Sequence, residues 1–418
     1  MSWADPLRER EFRLLFIGQA VSLIGSAIAP IALAFAVLDL TGSATDLGFV
    51  LAATWVPQVL FLLLGGVWAD RLPRHLVMVG SNVLSGVAQT AAAVLLLTGH
   101  AKIWHLVATQ ALRGVATSFF FPASQGLVPQ TVPERLLQQA NALRGMTRTG
   151  TMLLGSAAGG AIVALTKPGW ALAFDAATYF ASGGILALMR LPVTRVAAEN
   201  VLHELRTGWD EFTSHRWLWS IVVAAGFANM GWVAGTGVLG PVVAKRSLGG
   251  PAPWGAIVAC EGAGLLLAGV AALRLRPRRP LFVGCIGFFG GGLLLVLLAN
   301  VRVTAVLAAA ALLAGFGNEF FGVLWETALQ QHIPLDKLSR VSSYDALGSF
   351  VLIPLGFTAV GPIAHAIGVT QTLWLCAAVD VSATAFALSF RDVRRLEARA
   401  GPEPTVLEAR AVAGDTIA

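Results

Sequence analysis

The stretch Leu47-Gly-Phe-Val-Leu-Ala-Ala-Thr-Trp-Val-Pro-Gln-Val-Leu-Phe-Leu-Leu-Leu-Gly-Gly-Val-Trp-Ala69 holds no charged side chain. It stops abruptly at Asp70-Arg71-Leu72-Pro73-Arg74-His75, and a second apolar run opens at Leu76. About 20 apolar residues suffice to cross the hydrocarbon of a bilayer, so this reads as a membrane span, a short cationic turn and the next span. Working outward, the pattern recurs over Leu14–Leu38, Leu47–Ala69, Leu76–Leu97, Ile103–Phe121, Met146–Leu165 and Ala171–Met189. It returns over Trp217–Val243, Ala252–Leu273, Leu281–Leu298, Val303–Phe321, Ser343–Ile367 and Gln371–Leu388. The runs are too long and unbroken for barrel strands, which alternate over about 10 residues. An all-α integral membrane protein of twelve transmembrane helices follows.

Composition agrees. The chain has 418 residues, 56% hydrophobic and only 12% charged, about half the charge of a soluble domain. Lys and Arg set the orientation. With the N-terminus in the cytoplasm, 23 of the 29 fall in cytoplasmic segments, five in outer loops and Arg113 inside a span. Both termini are then cytoplasmic, and a plasma-membrane, multi-pass protein is expected. The net charge of +6 is a topology signal. The cations are spread over loops and form no compact surface for nucleic acid. Cys260, Cys285 and Cys376 fall within spans without metal or disulfide spacing and read as small core residues. His332 and His365 likewise lack metal spacing. No cofactor, metal or catalytic cluster is expected, and the chain reads as a non-enzyme.

The longest internal hydrophilic segment, 191–216, divides a bundle of six spans (1–190) from a second (217–390). A tail, 391–418, is expected to be disordered. Leu202, Leu205, Trp209 and Phe212 recur at helical spacing in the linker, as in an amphipathic surface helix or an ordinary linker helix. The two halves compare at an offset of 201: Gln130-Thr131-Val132-Pro133 against Gln331-His332-Ile333-Pro334, and Gly155 and Gly160 against Gly356 and Gly361. Parallel repeats of this kind suit transporters, whose substrate lies between the halves near the midplane.

The turn Gly66-Val-Trp-Ala-Asp70-Arg71-Leu-Pro73-Arg74-His75 resembles the loop 2–3 signature of the major facilitator superfamily, Gly-x-x-x-Asp-Arg-x-Gly-Arg-Arg. It departs at Pro73 and His75 and keeps Gly66, Asp70, Arg71 and Arg74, the gating motif. Gly18-Gln19, Leu38-Asp39-Leu40-Thr41-Gly42-Ser43, Arg113-Gly114, Phe120-Phe121-Pro122-Ala123, Ala140-Asn141, Trp325-Glu326-Thr327 and Arg340-Val341-Ser342-Ser343 are similar to its macrolide-efflux and enterobactin-exporter subfamily. The resemblance covers about residues 10 to 390. It implies two pseudo-symmetric six-helix bundles, the major facilitator fold, and proton-coupled efflux of a small hydrophobic or amphipathic molecule such as a drug, siderophore or secondary metabolite. Gly155-Ser156-Ala-Ala-Gly159-Gly160 has Ser where the exporters' span-five motif has Pro. An importer, a non-transporting sensor or assembly partner, or a lipid-modifying membrane enzyme are the alternatives. The expected partners are the substrate, protons and the bilayer, and the chain is expected to act as a monomer.

Ionisable groups inside a membrane are costly and mark function, or a fixed structural pair. Arg113, Glu261 and Glu319 are such groups, with Asn318 beside the last. The resemblance places Arg113 and Glu319 on cavity-lining spans, with Gln19, Gln110 and Asn229 as polar lining. Either Glu319 or Glu261 is expected to exchange a proton. The bland reading is a permanent Arg113–carboxylate ion pair. Asp175 and Asp380, early in the last span of each half, read as structural hydrogen-bonding groups. Asp345 and Arg340 read as a gate or as solvated charges. Trp104, Trp170, Trp217 and Trp254 read as an interfacial belt, whereas Trp55, Trp232 and Trp325 remain candidates for an aromatic drug pocket.

Overall fold

Uninterrupted apolar helix-formers between short Pro- and Gly-bearing turns leave the backbone one way to satisfy itself in lipid, which is within each helix. The computed structural model describes residues 5–71, 73–191, 201–275 and 277–398, without side chains for most of the 62–71 segment. Among these residues the secondary structure is entirely helical. In the first half α1 (Arg10–Thr41), α2 (Ala44–Arg71), α3 (Arg74–Leu97), α4 (Ile103–Leu127), α5 (Leu137–Leu165) and α6 (Pro168–Ala187) run antiparallel in turn. Gly42 in a left-handed conformation ends α1, where a side chain would be strained. A linker helix α7 (Val201–Ser214) follows.

The second half opens with α8 (Arg216–Val233). It continues through a π-helical turn, α9 (Gly240–Val243) and a second π-helical turn ending at Leu248. Then come α10 (Pro251–Arg274), α11 (Pro280–Asn300), α12 (Thr304–His332), α13 (Leu335–Phe350), α14 (Ile353–Ile367) and α15 (Val369–Ser389). The single span expected over Ser343–Ile367 is thus two helices broken at Val351-Leu352, just before Pro354. The tail starts as a short helix, α16 (Arg391–Arg395), and Ala398 N–H donates to the Arg278 carbonyl at 3.0 Å. Residues 399–418 lie outside the described residues.

Nine helical segments among the described residues are long and apolar enough to cross a membrane. Of the rods expected to cross, α4, α5 and α6 fall outside that group. Each is diluted by polar residues, Arg113 and Gln110 on α4, Arg144 and Arg148 on α5, Asp175 and Tyr179 on α6.

The cores define an asymmetry. On the face away from the termini, one apolar cluster joins both halves, running from Ile28–Leu38 of α1 and Leu47 of α2 to Val238, Leu239, Trp254, Ile257 and Phe357. On the terminus face the cores are separate. Phe12, Leu15, Met78 and Leu127 pack in the first half, and Trp217, Phe321, Trp325 and Leu329 in the second. The halves are therefore sealed at the far face and parted at the terminus face. Trp217 and Trp254, read from sequence as interfacial, are core residues 6% and 5% exposed, whereas Trp104 and Trp170 are 63% and 59% exposed.

Small residues make the contact between halves, as is usual where lipid gives no hydrophobic drive for helices to associate. Gly160 of α5 and Gly255 of α10 meet backbone to backbone: a methyl on Gly160 would stand 2.7 Å from the Pro251 carbonyl oxygen and 2.9 Å from Gly255 Cα. On the other flank, a methyl on Gly48 of α2 would lie 2.1 Å from the Phe357 oxygen of α14. At the far rim Lys245 Nζ bridges to Asp39 Oδ1 at 2.5 Å and to the Leu38 carbonyl at 2.6 Å.

The linker helix docks on the second half. Trp209 stacks against Phe212 (5.9 Å) and meets the Tyr344 ring edge-on at 5.4 Å. The side chains of Leu202 and Leu205 lie outside the described residues. Glu211 accepts from Lys337 Nζ at 2.7 Å and lies 3.1 Å from His215 Nε2.

Two outcomes test this packing. Gly160→Val forces α5 and α10 apart, and overpacking of this kind costs about 1–3 kcal/mol; thermal unfolding in detergent should show a lowered Tm. The hydrogen bond from Lys337, then that from His215, holds the Glu211 carboxyl below its ordinary value of 4.5. The docked linker therefore gains stability above that value and loses it as pH falls through the lowered one. Trp209 emission should shift on acidification through this window in the wild type and not in Glu211→Gln.

Candidate functional site

The first half forms a cavity of about 620 Å³, built by α1, α3, α4, α5 and α6. That size suits a small organic molecule. α4 presents Arg113, Thr117, Phe120, Phe121 and Ser124. α5 presents Asn141, Arg144 and Arg148, α1 presents Gln19, Ser22 and Ser26, and α6 presents Tyr179.

The deep end is a hydrogen-bond chain. Arg113 donates through Nη1 to Gln110 Oε1 at 3.2 Å and through Nε to the Tyr179 hydroxyl at 3.4 Å. Gln110, fully buried, donates to Gln89 Oε1 at 3.3 Å, and Gln89 donates to Asp175 Oδ2 at 2.5 Å. Tyr179 OH lies 2.9 Å from Ser26 Oγ. Asp175 is fully buried, and its charge acts on Arg113 without an ion-pair contact. Its Oδ1 has no hydrogen-bond partner. Arg113 is therefore held by Gln110 and Tyr179 of the same half, and the Arg113–Glu319 or Arg113–Glu261 pair weighed from sequence does not form. A buried guanidinium draws whatever acceptors its own bundle offers, and α4 and α6 supply them.

The shallow end is held by Arg144. Its Nε donates to Gln19 Oε1 at 2.9 Å and its Nη2 to Ser124 Oγ at 2.8 Å; Nη1 reaches Gln125 Oε1 at 3.4 Å. Gln19 Nε2 in turn donates to Ser124 Oγ at 2.6 Å. Three helices are thus tied by one uncharged acceptor set.

The expected site residues separate into groups. Arg113 and Gln19 line the cavity, and Gln110 sits directly behind it. Asn229, whose Nδ2 donates to the Ser349 carbonyl at 3.0 Å, and Asn318 line a different space of about 20 Å³ in the second half, with Trp232 and Asp380. Asp380 is 2% exposed and its Oδ2 lacks a partner. Glu319 is exposed on α12, outside the cavity wall, and the charges of Glu326 and Arg148 act on it. Glu261 is half-buried on α10; no described residue hydrogen-bonds or ion-pairs with it. Asp345 accepts from Trp325 Nε1 at 2.9 Å and from Ser349 Oγ at 3.3 Å, fixing α12 to α13.

In the gating motif, Gly66, Asp70 and Arg71 end α2, and their side chains lie outside the described residues. Arg74 opens α3 and donates through Nη1 to the Gly126 carbonyl at the end of α4, so this arginine ties two helix ends. Among the described residues no group of His, Cys, Asp and Glu could hold a metal.

Sequence reading missed Arg144, Arg148, Tyr179 and Ser124. Both count as cytoplasmic cations in the sequence, Arg144 because the fifth span as read opens only at Met146 and Arg148 because it stands two residues inside that end; the helix begins at Leu137. The available signal was their i,i+4 spacing with Gln19 and Ser124 as uncharged partners.

A family profile described as Major Facilitator Superfamily matches residues 15–357. The chain belongs to that superfamily. It is 22% identical over 395 residues to macrolide efflux protein A of Streptococcus pyogenes, covering 93% of this chain and 97% of that protein. It is 24% identical over 369 residues to the enterobactin exporter EntS of Salmonella typhimurium, covering 85% and 87%. Among solved structures, a bacterial homolog of the human lysosomal transporter Spinster, inward-facing and unoccupied, superposes with a TM-score of 0.73 at 15% identity. That match covers 96% of this chain and 100% of the other. The nucleoside transporter NupG superposes at 0.70 and 13%.

Removing the Arg144 side chain leaves Gln19 Oε1 short of its donor. Arg144→Ala should destabilise the first half by about 1–3 kcal/mol, the range for an orphaned buried polar group, and Arg144→Lys by less. Thermal unfolding of the purified variants measures both.

Proposed function

We propose that the chain is a secondary active transporter that exports a small amphipathic molecule in exchange for protons by alternating access. The carrying observation is the polar cavity of the first half, together with cores that are separate at the terminus face and joined across both halves at the far face. Twelve helices cross the plasma membrane, with both termini cytoplasmic, as the distribution of Lys and Arg favours. The form described then opens to the cytoplasm. The two halves act as the domains that rock, and the chain works as a monomer.

Rocking must part the far-face core and close the terminus face. The π-helical turns of α8, at Ala234–Leu239 and Ala244–Leu248, lie where that core would open. Turns of this kind are weak points in a helix, and they suit bending there. Arg113 and Gln19 contact the substrate, Gln110 positions Arg113, and Asn229 with Asn318 forms the facing wall when the halves close. Gly66, Asp70, Arg71 and Arg74 restrain the terminus-face ends. Glu261 or Glu319 is the proton-exchanging carboxylate. The outward direction draws on the names of the two relatives, both described as efflux or export proteins.

The test starts with cells expressing or lacking the chain, screened against compound classes; expression should raise resistance to at least one. Flux of that compound into proteoliposomes under an imposed pH gradient should follow, and Glu261→Gln should abolish the pH-driven component while leaving gradient-free counterflow. Full pH-driven flux in both Glu261→Gln and Glu319→Gln would remove proton exchange from the reading. Flux of no compound at all would remove transport.

A further inference from the structure

Arg144 and Arg148 stand one turn apart on α5 and both line the cavity. Their like charges act on each other, and such a pair at i,i+4 repels. No described carboxylate lies within ion-pair distance of either, and the cavity wall contains no Asp or Glu. Arg144 is oriented by Gln19, Ser124 and Gln125, all uncharged. Three of its five N–H donors are thereby used and its charge is left whole. Arg148 hydrogen-bonds no described residue through its guanidinium. Two fixed or available donor forks in one pocket, with mutual repulsion and no ion-paired carboxylate among the described residues, describe the half of an ion pair that the chain does not complete.

We infer that this face of α5 is an anion site. The cavity takes an amphipathic molecule bearing a carboxylate, sulfonate or phosphate. The anionic group bridges Arg144 and Arg148 through charge-assisted, partly bidentate hydrogen bonds, and the apolar body lies along Phe120 and Phe121. Arg113 is one level deeper and already faces Asp175, so the two α5 cations hold the anion first. Glu319, across the opening, acts on Arg148 without an ion-pair contact; its ionised form opposes a bound anion. The inference rests on the cavity being the substrate path proposed above, and it names the chemical class that path takes.

The test uses the full chain in zwitterionic lipid nanodiscs, with no gradient, and three probes of one shape. These are 1-naphthoate, 1-naphthamide and 1-naphthylmethylammonium, measured by equilibrium dialysis. Naphthoate should bind about tenfold tighter than the amide, the ratio expected when a charge-assisted bond replaces a neutral one, and the ammonium should bind more weakly still. Arg148→Gln should lower naphthoate affinity about tenfold and leave the amide unchanged, with Arg148→Lys recovering most of the loss. Because Arg148 makes no side-chain bond, this variant should fold; an unchanged Tm checks that. Glu319→Gln should tighten naphthoate. Replacing part of the lipid with an anionic phospholipid separates sources: lowered naphthoate affinity places a headgroup in the site, unchanged affinity reserves it for soluble anions, and either keeps the anion assignment.

Ammonium binding as tight as naphthoate, discrimination that survives Arg148→Gln, or no saturable naphthoate binding would overturn it. The two readings fail separately. A chain that prefers the anion but moves no compound in proteoliposomes loses the exporter reading and keeps the site. A chain that moves compounds but prefers the ammonium does the opposite.

Discussion

A guanidinium cannot face acyl chains without a cost of several kcal/mol, and three of them on α4 and α5 set the shape of the first half. Arg113, Arg144 and Arg148 need water or acceptors at a depth where lipid offers neither. The bundle answers by setting α1, α3, α4, α5 and α6 around a cavity that all three line. The acceptors for Arg113 and Arg144 come from residues with no charge of their own, Gln19, Gln110, Ser124, Gln125 and Tyr179. Only Asp175, sunk behind them, carries the opposite sign. The polar content that takes α4, α5 and α6 out of the group of strongly apolar helices is therefore the same content that builds the site.

The second constraint is closure at the far face. One core spanning both halves leaves little room for side chains at the inter-half contacts, so Gly160 meets Gly255 and Gly48 meets the Phe357 carbonyl. These contacts are made by backbone and break without stranding a charge, which suits an interface that must part and re-form. The Lys245–Asp39 bridge at the rim is exposed, with side chains 36% and 57% accessible. Exposed pairs contribute about 0–1 kcal/mol, so the apolar core and the glycine contacts hold the seal.

Much of this was legible in the order of residues. Apolar run length fixed the helices to within a few residues at most ends, and the quoted turn at Gly66–His75 carried the family. Arg113 as a cavity residue followed from the cost of its charge. What could not be read was partnership. A span drawn from hydropathy begins where charge stops, so α5 lost its first nine residues and with them Arg144. Glu319 and Arg113 looked like partners because each is a rare intramembrane charge, yet they lie on different halves of a molecule open between them. Asn229 and Asn318 share residue type with the cavity lining but close a separate small space around Asp380. The period of a helix gives the face on which a residue lies; which other face it meets depends on how far the two halves have swung.

The sign of the charges constrains the energetics further. Should the cargo be an anion seated on Arg148, a proton on Glu319 removes a repulsive charge and favours binding. Proton and cargo then bind together at that point, which is the wrong sign for exchange. Glu261 is differently placed. It lies on α10 beside Gly262, which packs on Leu153 of α5, five residues beyond Arg148 and away from the cavity wall. A charge appearing at Glu261 can act on the packing of α10 against α5 without meeting the cargo. On the exporter reading proposed above, exchange then falls to Glu261, and Glu319 sets the affinity. The membrane potential helps the same cargo. An anion leaving a compartment that is negative inside is driven outward by about 2.3 kcal/mol per charge per 100 mV, a contribution that a neutral molecule does not receive. Cationic lining thus suits an anion as outward cargo, and the same lining would be a poor one for cations.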